Sequence, residues 1–498
     1  LNDHSSDHTP ILLQLNVAPD LNPMHLSLSQ GPIKWNEFAQ IMQNTTNLKI
    51  SLKSKTDIES AAQVLTTSIQ SAIYKSSHPY TPRNMNQTNN QTLPIHIRTL
   101  IFDKSRVRSR WQKYRYPSDK QIFNHLTNTI KKLISKQKSE FFEKKYQSLN
   151  TNDGSLRKTT KSLLNIKQQM LPITGPNRSM AISEDEKANL FGEHFSNIFK
   201  PHTDIHPSTE HLERINSFID SSLPMSLAAK HISPSEIKFQ ISKLKEKKAP
   251  SYDLITNKIL NNLPKKTIIL ITYIFNSMLR ISYIPSIWKL STIIVIPKPD
   301  KPKIEITSYR PISLLPTLAK LFEKIIRLRI RPILQTFNII PHSHFGFRTG
   351  HSTVHQIHRL TDQISSSFEK KQYCPGVFLD VAQAFDRVWH KGLLFKLKMF
   401  LPAPYFLIIC SYLENRTYTV RYGNSVSSFY PIKAGILQGS DLSPDLFNVY
   451  TADIPKTPNT VMATYADDTA ILSPDNYPVE TVHFLQTLLD LIDKWSSN

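Results

Sequence analysis

Glycine is scarce in this chain: 11 of its 498 residues are glycine, about 2% where globular proteins usually carry ~7%. This scarcity excludes collagen-like and Gly-rich linker sequences. The chain has two cysteines, Cys374 and Cys410, too few for a disulfide scaffold or for a metal cluster built from cysteine alone. Long apolar runs are missing too, since the longest, residues 267–275, is far shorter than the ~20 residues that span a bilayer. We therefore expect no membrane partner.

Acidic residues are few relative to basic ones. The chain carries 61 Lys and Arg against 39 Asp and Glu, a formal net charge of +22. This excess indicates a polyanionic partner, with nucleic acid as the first candidate and an anionic membrane surface as the alternative. Much of the excess lies in residues 98–145, a helical stretch with 14 basic and four acidic residues. Trp111, Tyr114 and Tyr116 interleave with these cations, which favours a surface for phosphates and bases over a merely solvated helix face.

The length suggests about three domains, and a hydrophobic content of 39% argues against wholesale disorder. Residues 84–92 (NMNQTNNQT) predict a polar linker. From about residue 231 the pattern changes to a compact α/β type, in which helices alternate with short β-branched runs. Residue 1 is Leu and the chain stops inside an amphipathic segment, Phe484 to Trp495. We therefore expect a fragment of a longer protein.

Three aspartates are the first candidates for chemistry. Asp467 and Asp468 lie between two apolar runs that predict strands, so the pair is expected at the tip of a β-hairpin. Adjacent carboxylates repel each other, and a divalent cation would relieve that repulsion; a solvated Asp-Asp turn is the ordinary alternative. Asp380 follows the predicted strand Val377 to Leu379 and precedes a stretch predicted to be helical, so a helix N-cap is the alternative. Together the three carboxylates form the set that holds two Mg²⁺ ions ~3.5–4 Å apart for displacement at phosphorus.

Two further features belong to the same pattern. Gly435 and Gly439 frame a turn that lets a backbone or a ligand approach closely, and Gln438 between them is able to hydrogen-bond a base or a sugar. Lys298 and Arg310 are cations on short predicted strands next to prolines. A triphosphate requires such cations at its leaving group, although two ordinary surface cations are the simpler interpretation of each alone.

The features occur in a fixed order: cations, Asp380, the Gly-Gln-Gly turn, then the aspartate pair. The same part of the chain contains six characteristic strings, which are KAPSYDLITNKIL, SYRPISLL, HFGFRTGHST, LDVAQAFDRVWH, AGILQGSDLSP and YADDTAIL. In this order and wording, residues 231–475 resemble the reverse transcriptase of a non-LTR (LINE-type) retrotransposon of the jockey group. The resemblance implies an α/β (α+β) right-hand polymerase with fingers and palm in residues 231–498. A mostly helical, basic extension would precede it over residues 16–230, and the thumb would be absent.

The resemblance also implies an activity and its participants. The protein would be an RNA-directed DNA polymerase that extends a DNA primer on an RNA template with dNTPs, using two Mg²⁺ ions, or Mn²⁺ in their place. Asp380, Asp467 and Asp468 would bind the metal. The expected nucleotide-binding residues are Lys298, Arg310, Phe385, Gln438 and Gly439. Phe385 would block a ribose 2′-OH, and the expected template-binding residues are Gly346, Phe347 and Arg348.

The N-terminal 15 residues resemble a different domain. Asp7 and His8, followed by an apolar strand, match the last strand of the endonuclease/exonuclease/phosphatase-like domain that lies upstream in this family. Further expected partners are target DNA and an element-encoded RNA-binding protein, in a ribonucleoprotein of the nucleus and cytoplasm. A catalytically inactive nucleic-acid-binding remnant is the alternative, favoured by Asp441 and Asp445, which stand where the family usually has apolar or small residues. A group II intron or telomerase-type relative fits less well.

Overall fold

The chain is described from a computed structural model. It covers residues 27–29, 31–77, 93–149, 155–156, 159–160, 171–176, 179–201, 209–246 and 248–497. Described residues 93–160 belong to one compact unit, and the rest belong to a second. Asp7, His8 and the expected linker at 84–92 lie outside the described residues. In the described ranges no helix has the length and apolar content needed to cross a membrane.

The first unit contains a helical hairpin. Helix α3 (Ile95–Tyr114) ends where Arg115 adopts a left-handed conformation, and α4 (Pro117–Gln147) begins with proline in its first turn. Proline is favoured there because its fixed φ suits a helix and the missing N–H would lack a helical partner anyway. Across the turn, Arg110 donates to the buried carboxylate of Asp119 at 3.0 Å. The helical character predicted for 98–145 is confirmed, as two helices rather than one.

Helices are the main secondary structure of the second unit. In chain order they are α1 (Trp35–Thr45), α2 (Lys55–Ser76), α5 (Glu184–Ile198), α6 (Thr209–Asp220), α7 (Pro234–Ser242), α8 (Asn257–Asn261), α9 (Lys265–Ile281), α10 (Ser286–Lys289), α11 (Thr317–Thr336), α12 (Thr353–Glu369), α13 (His390–Lys398), α14 (Ala403–Leu413), α15 (Ser443–Tyr450) and α16 (Pro478–Ser497). Local signals place several starts: Ser54 caps α2 in a capping box with Asp57, and Ser183 caps α5 with Glu186.

The strands of this unit form three sheets. Their bounds are β1 (Ile173–Thr174), β2 (Met180–Ala181), β3 (Leu290–Pro297), β4 (Tyr309–Leu314), β5 (Gly376–Leu379), β6 (Thr417–Tyr422), β7 (Ser425–Val426), β8 (Tyr430–Pro431), β9 (Val461–Tyr465) and β10 (Asp468–Leu472). Strands β1 and β2 pair alone. The largest sheet has the order β4-β3-β6-β7, with β8 also on β6. Its β3–β4 pair is antiparallel and its β3–β6 pair is parallel. The third sheet, β5-β10-β9, is antiparallel throughout.

The main core joins the N-terminal helices to the rest of the second unit. Phe38 of α1 and Ile58 of α2 are fully buried in the same apolar cluster as Phe275 of α9. A hydrogen bond of 2.9 Å between the hydroxyls of Thr46 and Thr267 links α1 to α9. Residues 31–77 therefore fold with the α/β part of the chain. The domain boundaries predicted at residues 15 and 230 from the family resemblance stay predictions. The two compact units of the structure are divided at other positions.

The β-branched runs recognised in the sequence all form strands. Residues 293–296, 377–379, 418–422, 461–464 and 470–472 lie within β3, β5, β6, β9 and β10. The stretch after Asp380, expected to be helical, instead forms turns over residues 382–387, and α13 starts at His390. Gln383 has a φ of 58°, a left-handed conformation that does not continue a right-handed helix.

Candidate active site

The pairing of β5 with β10 brings the three predicted aspartates to one edge of the small sheet. In this antiparallel pair Leu379 lies opposite Thr469, so Asp380, directly after β5, comes level with Asp468, the first residue of β10. The two-residue turn between β9 and β10 consists of Ala466, whose φ is 58°, and Asp467. A two-residue hairpin turn demands such a positive φ. The predicted hairpin with the aspartates at its tip is therefore present.

Side-chain alternation turns Asp380 away from the core. Val377 and Leu379 pack against a small apolar cluster formed by Met462, Ile471, Leu485 and Leu488, whereas Phe378 between them is 77% exposed. Successive strand residues point to opposite faces, so Asp380 shares the open face of Phe378 and is exposed. The carboxylate is thus accessible to a ligand.

The aspartates share one electrostatic environment with a cation of the larger sheet. Burial raises the pKa of Asp467 above its ordinary value, and the negative charges of Asp468 and Asp380 raise it further. The positive charge of Arg310 lowers this pKa, so Arg310 lies within electrostatic range of Asp467. Within the described residues, no three Asp, Glu, His or Cys side chains are drawn together into a preformed ion site.

The predicted template segment, residues 346–348, lies directly against the aspartate turn. The backbone N–H of Phe345 donates to the carbonyl of Thr464 at 2.9 Å. A Cβ on Gly346 would overlap the backbone nitrogen of Ala466, so only glycine fits this approach. Asn448 of α15 donates to the Gly346 carbonyl at 3.0 Å. The chain path thus fixes this segment beside Asp467.

Phe347 and Arg348 have different surroundings. The ring of Phe347 is 41% exposed and meets Phe385 edge-on, with centroids 5.9 Å apart. Phe385 stacks on Phe447 at 4.4 Å and is half-buried. The guanidinium of Arg348 donates to the carbonyls of Pro341 and His344, at 3.0 and 3.1 Å. Arg348 therefore orders its own loop, while the Phe347 ring faces solvent.

The Gly-Gln-Gly turn serves packing within the protein. A Cβ on Gly435 would overlap the carbonyl oxygen of Asp386, and one on Gly439 would overlap that of Ser313. Both glycines also have positive φ, 88° and 120°. The close approach for which glycine is needed is therefore made by the chain's own backbone. Gln438 donates to both carboxylate oxygens of Asp386, each at 3.1 Å, and contact of Gln438 and Gly439 with a nucleotide stays a prediction.

The two predicted phosphate-binding cations lie on neighbouring strands. Arg310 of β4 is paired with Ile296 of β3 and is exposed. Lys298 directly follows β3, and its ammonium donates to the carbonyl of Thr307 at 3.0 Å. Its charge lowers the pKa of Asp386, just as that of Arg310 lowers the pKa of Asp467. One cation therefore acts near the aspartate turn and the other near the Gln438–Asp386 pair.

A buried ion cluster behind the template segment was missed at the sequence level. Asp445 is 5% exposed and accepts from Arg327 at 2.6 Å and Arg331 at 3.0 Å, both on α11. Arg331 also donates to the carbonyl of Phe347 at 3.2 Å. The two arginines are four residues apart, so they lie on one helix face; that spacing is the only local signal. The charge at Asp445, unexpected for the family, is thus compensated within the fold.

Asp441 is also tied into the fold, through its backbone. Its backbone N–H and the hydroxyl of Ser440 each donate to the buried carboxylate of Glu323 at 2.9 Å. Burial raises the pKa of Glu323, and these donors together with the charge of Arg416 oppose that shift. These bonds hold the segment between Gly439 and α15 in place.

Comparison with known proteins decides what kind of site this is. Residues 296–498 match the family described as reverse transcriptase (RNA-dependent DNA polymerase). The chain carries a reverse transcriptase domain. All three aspartates, both cations and the template segment of this domain lie within the matched residues.

Three similar proteins come from transposons of Drosophila melanogaster. The chain is 38% identical over 512 residues to the probable RNA-directed DNA polymerase from transposon BS, covering 99% of this chain and 55% of that protein. It is 34% identical over 475 residues to the probable RNA-directed DNA polymerase from transposon X-element, covering 94% of this chain and 52% of that protein. It is 32% identical over 512 residues to the RNA-directed DNA polymerase from mobile element jockey, covering 100% of this chain and 55% of that protein. The predicted resemblance to jockey-like elements is confirmed, and the chain spans about half the length of these relatives.

Replacing Asp445 by Asn should destabilise the second unit by about 2 kcal/mol, because two arginines lose their buried counter-charge. Urea unfolding measures this change. Asp453→Asn is the matched control, since it breaks the Lys396–Asp453 pair of 2.6 Å, in which the aspartate is 56% exposed. Because water reaches the Asp453 carboxylate, its loss should cost no more than about 1 kcal/mol. Equal, small losses for the two variants would contradict the role assigned to Asp445.

Asp386 predicts a pH dependence of stability. Burial raises its pKa to about 7, against ~3.9 for a free aspartate. The native state therefore holds more protons than the unfolded state between these values, and this group makes stability fall as the pH rises from 4 to 7. Asp386→Asn removes that term, so its stability relative to the unmodified protein should rise by on the order of 2 kcal/mol between pH 5 and 7.5. Parallel pH profiles of urea unfolding would contradict this.

Proposed function

We propose that this chain is the RNA-directed DNA polymerase of a jockey-like non-LTR retrotransposon, which adds deoxynucleotides to a DNA primer along an RNA template. The observation that carries the proposal is the convergence of Asp380, Asp467 and Asp468 at one sheet edge, with the charge of Arg310 acting on Asp467. The relatives named as RNA-directed DNA polymerases support the same activity. In this proposal the β5-β10-β9 sheet is the palm, and the sheet with Lys298 and Arg310 belongs to the fingers.

The donor chemistry of the three aspartates fits Mg²⁺, which prefers carboxylate oxygens, and also fits Mn²⁺. Mutual repulsion among them contributes to the raised pKa of Asp467, and a divalent cation would relieve it. Two bound ions would neutralise charge on the phosphates and activate the primer 3′-OH. In the reaction this hydroxyl attacks the α-phosphate of the dNTP, and pyrophosphate leaves.

The protein's own groups would position the nucleotide. Arg310, exposed beside the aspartate turn, would neutralise phosphate charge near the reacting phosphorus, and Lys298 would act further along the triphosphate. Phe385 is held by its stack on Phe447, and such a fixed ring would exclude a ribose 2′-OH by steric clash. The exposed ring of Phe347 would contact the template base.

Wider partners follow from the same proposal. The net charge of +22 suits a protein that works on an RNA template and a DNA primer or target DNA. An element-encoded RNA-binding protein and a ribonucleoprotein of the nucleus and cytoplasm would complete this setting. Co-purification of element RNA with the chain from cells, lost after ribonuclease treatment, tests it; RNA-free chain would count against it.

Asp467→Asn should reduce primer extension on an RNA template by at least about 10³-fold, because one of the carboxylates that hold the metal is lost. The assay uses the chain joined to a thumb-bearing C-terminal segment, with Mg²⁺ and with EDTA. Asp362→Asn, an exposed aspartate on α12, is the control and should keep full activity. Extension by the Asp467 variant at a near-normal rate would show that the site is assigned wrongly.

Phe385→Val should raise incorporation of ribonucleotides relative to deoxynucleotides by about 10-fold or more, since it opens space at the ribose. Single-nucleotide extension with matched dNTP and rNTP measures the ratio. If Phe385 is only a core aromatic, both rates fall together and the ratio stays unchanged, which would contradict its role as a sugar gate.

A further inference from the structure

The tip of the α3–α4 hairpin carries two exposed aromatic rings stacked on each other. Tyr114 ends α3 and Tyr116 immediately precedes α4, with the left-handed Arg115 between them. Their ring centroids are 5.8 Å apart with planes 21° from parallel, and the side chains are 52% and 57% exposed. Large aromatics normally cover apolar surface. Here they instead present a double ring to solvent.

Cations surround these rings. The ammonium of Lys113 lies 5.1 Å from the ring centroid of Tyr114. One turn earlier, Trp111 has the guanidinium of Arg115 at 5.1 Å and the ammonium of Lys120 at 5.6 Å from its ring. Each cation is held at an aromatic face. Since the stretch 98–145 has ten more basic than acidic residues, the tip attracts polyanions.

The tip is held in one shape before anything binds. The Arg110–Asp119 hydrogen bond of 3.0 Å crosses the turn from α3 to α4, and the Asp119 side chain is only 11% exposed. Pro117 fixes the first turn of α4. Because the tip already has this shape, the protein loses little conformational entropy when a ligand stacks on the tyrosines. Binding is therefore stronger.

We propose that this tip, residues Trp111 to Lys120, is a binding platform for single-stranded nucleic acid. Unpaired bases stack on the Tyr114–Tyr116 pair, and the adjoining phosphates meet Lys113, Arg115 and Lys120. A duplex is a poor ligand because its bases are already stacked and hide their faces. The platform lies in the first compact unit and uses none of the polymerase residues, so it goes beyond the proposed catalytic function and does not depend on it.

The test compares variants of the whole chain by fluorescence anisotropy with 12-nucleotide single-stranded RNA, single-stranded DNA and an RNA duplex. Tyr114→Ala/Tyr116→Ala should weaken single-strand binding about 10-fold or more, because each stacked base contributes ~1–3 kcal/mol. Duplex binding should change less than about twofold. The matched control is Phe141→Ala/Phe142→Ala, which removes two aromatics of α4, each 41% exposed, away from the tip.

Two further variants separate stacking from folding and from charge. Tyr114→Phe/Tyr116→Phe keeps the rings and should keep affinity, so a loss there as large as with alanine would overturn a stacking role. Lys113→Gln/Lys120→Gln should lower the salt dependence of binding by about 1.4 in log–log slope, at ~0.7 per phosphate contact. An unchanged slope would overturn the phosphate contacts.

The ligand is identified by the oligonucleotide that the tyrosine-to-alanine variant binds more weakly than the unmodified chain does. A tyrosine-dependent loss with RNA, with DNA or with both supports the platform and names the strand it takes. A loss with neither, an equal loss in the control variant, or an equal loss with the duplex overturns it. The readout is binding of an oligonucleotide and not primer extension, so failure of the catalytic proposal and failure of this one are distinguishable.

Discussion

The site depends on the antiparallel pairing of β5 with β10. These strands come from distant parts of the chain, and their register alone decides whether Asp380 comes level with Asp468. A shift by one residue would turn Asp380 to the opposite face. Packing on the buried face of the sheet fixes this register, because Val377 and Leu379 contact the small apolar cluster that contains Ile471. The buried face of a short strand thus fixes where an exposed carboxylate lies.

A second constraint is the close approach of the template segment to the aspartate turn. Gly346 touches backbone at Ala466, and Asn448 and Arg331 hold the carbonyls of Gly346 and Phe347 from the other side. Asp445 in turn holds Arg331. Buried charges in this chain therefore work as internal supports, whereas Asp380 and Asp468 stay exposed. This division explains how a domain with several buried carboxylates keeps its accessible ones for a ligand.

Local pattern predicted much of this arrangement. The strands, the hairpin at the aspartate pair and the basic helices are all properties of short segments, and they are confirmed in the structure. The packing of α1 and α2 into the main core was not predicted, because apolar spacing shows that a helix is amphipathic but not which partner it meets. The same holds for Asp445, which reads as an unfavourable charge until Arg327 and Arg331 are seen opposite it.

The glycines show the limit of compositional reasoning most clearly. Seven of the 11 glycines lie between Gly346 and Gly439, which indicates that backbone comes close to something in this region. Composition does not say what approaches. At Gly346, Gly435 and Gly439 it is protein backbone. In the proposed function, contact with nucleic acid would therefore be made by side chains on open surfaces, such as Phe347 and Arg310.

The central claim is that two segments distant in sequence, one with Asp380 and one with Asp467 and Asp468, converge on one divalent-cation site beside residues 346–347. Metal-directed backbone cleavage tests it most directly: Fe²⁺ replaces Mg²⁺, ascorbate and peroxide generate radicals at the ion, and mass spectrometry locates the cuts. The account predicts cuts near residues 380, 466–468 and 346–347, all suppressed by excess Mg²⁺. Cuts confined to other acidic positions, such as Asp441 and Asp445, or cuts that Mg²⁺ does not suppress, would contradict it.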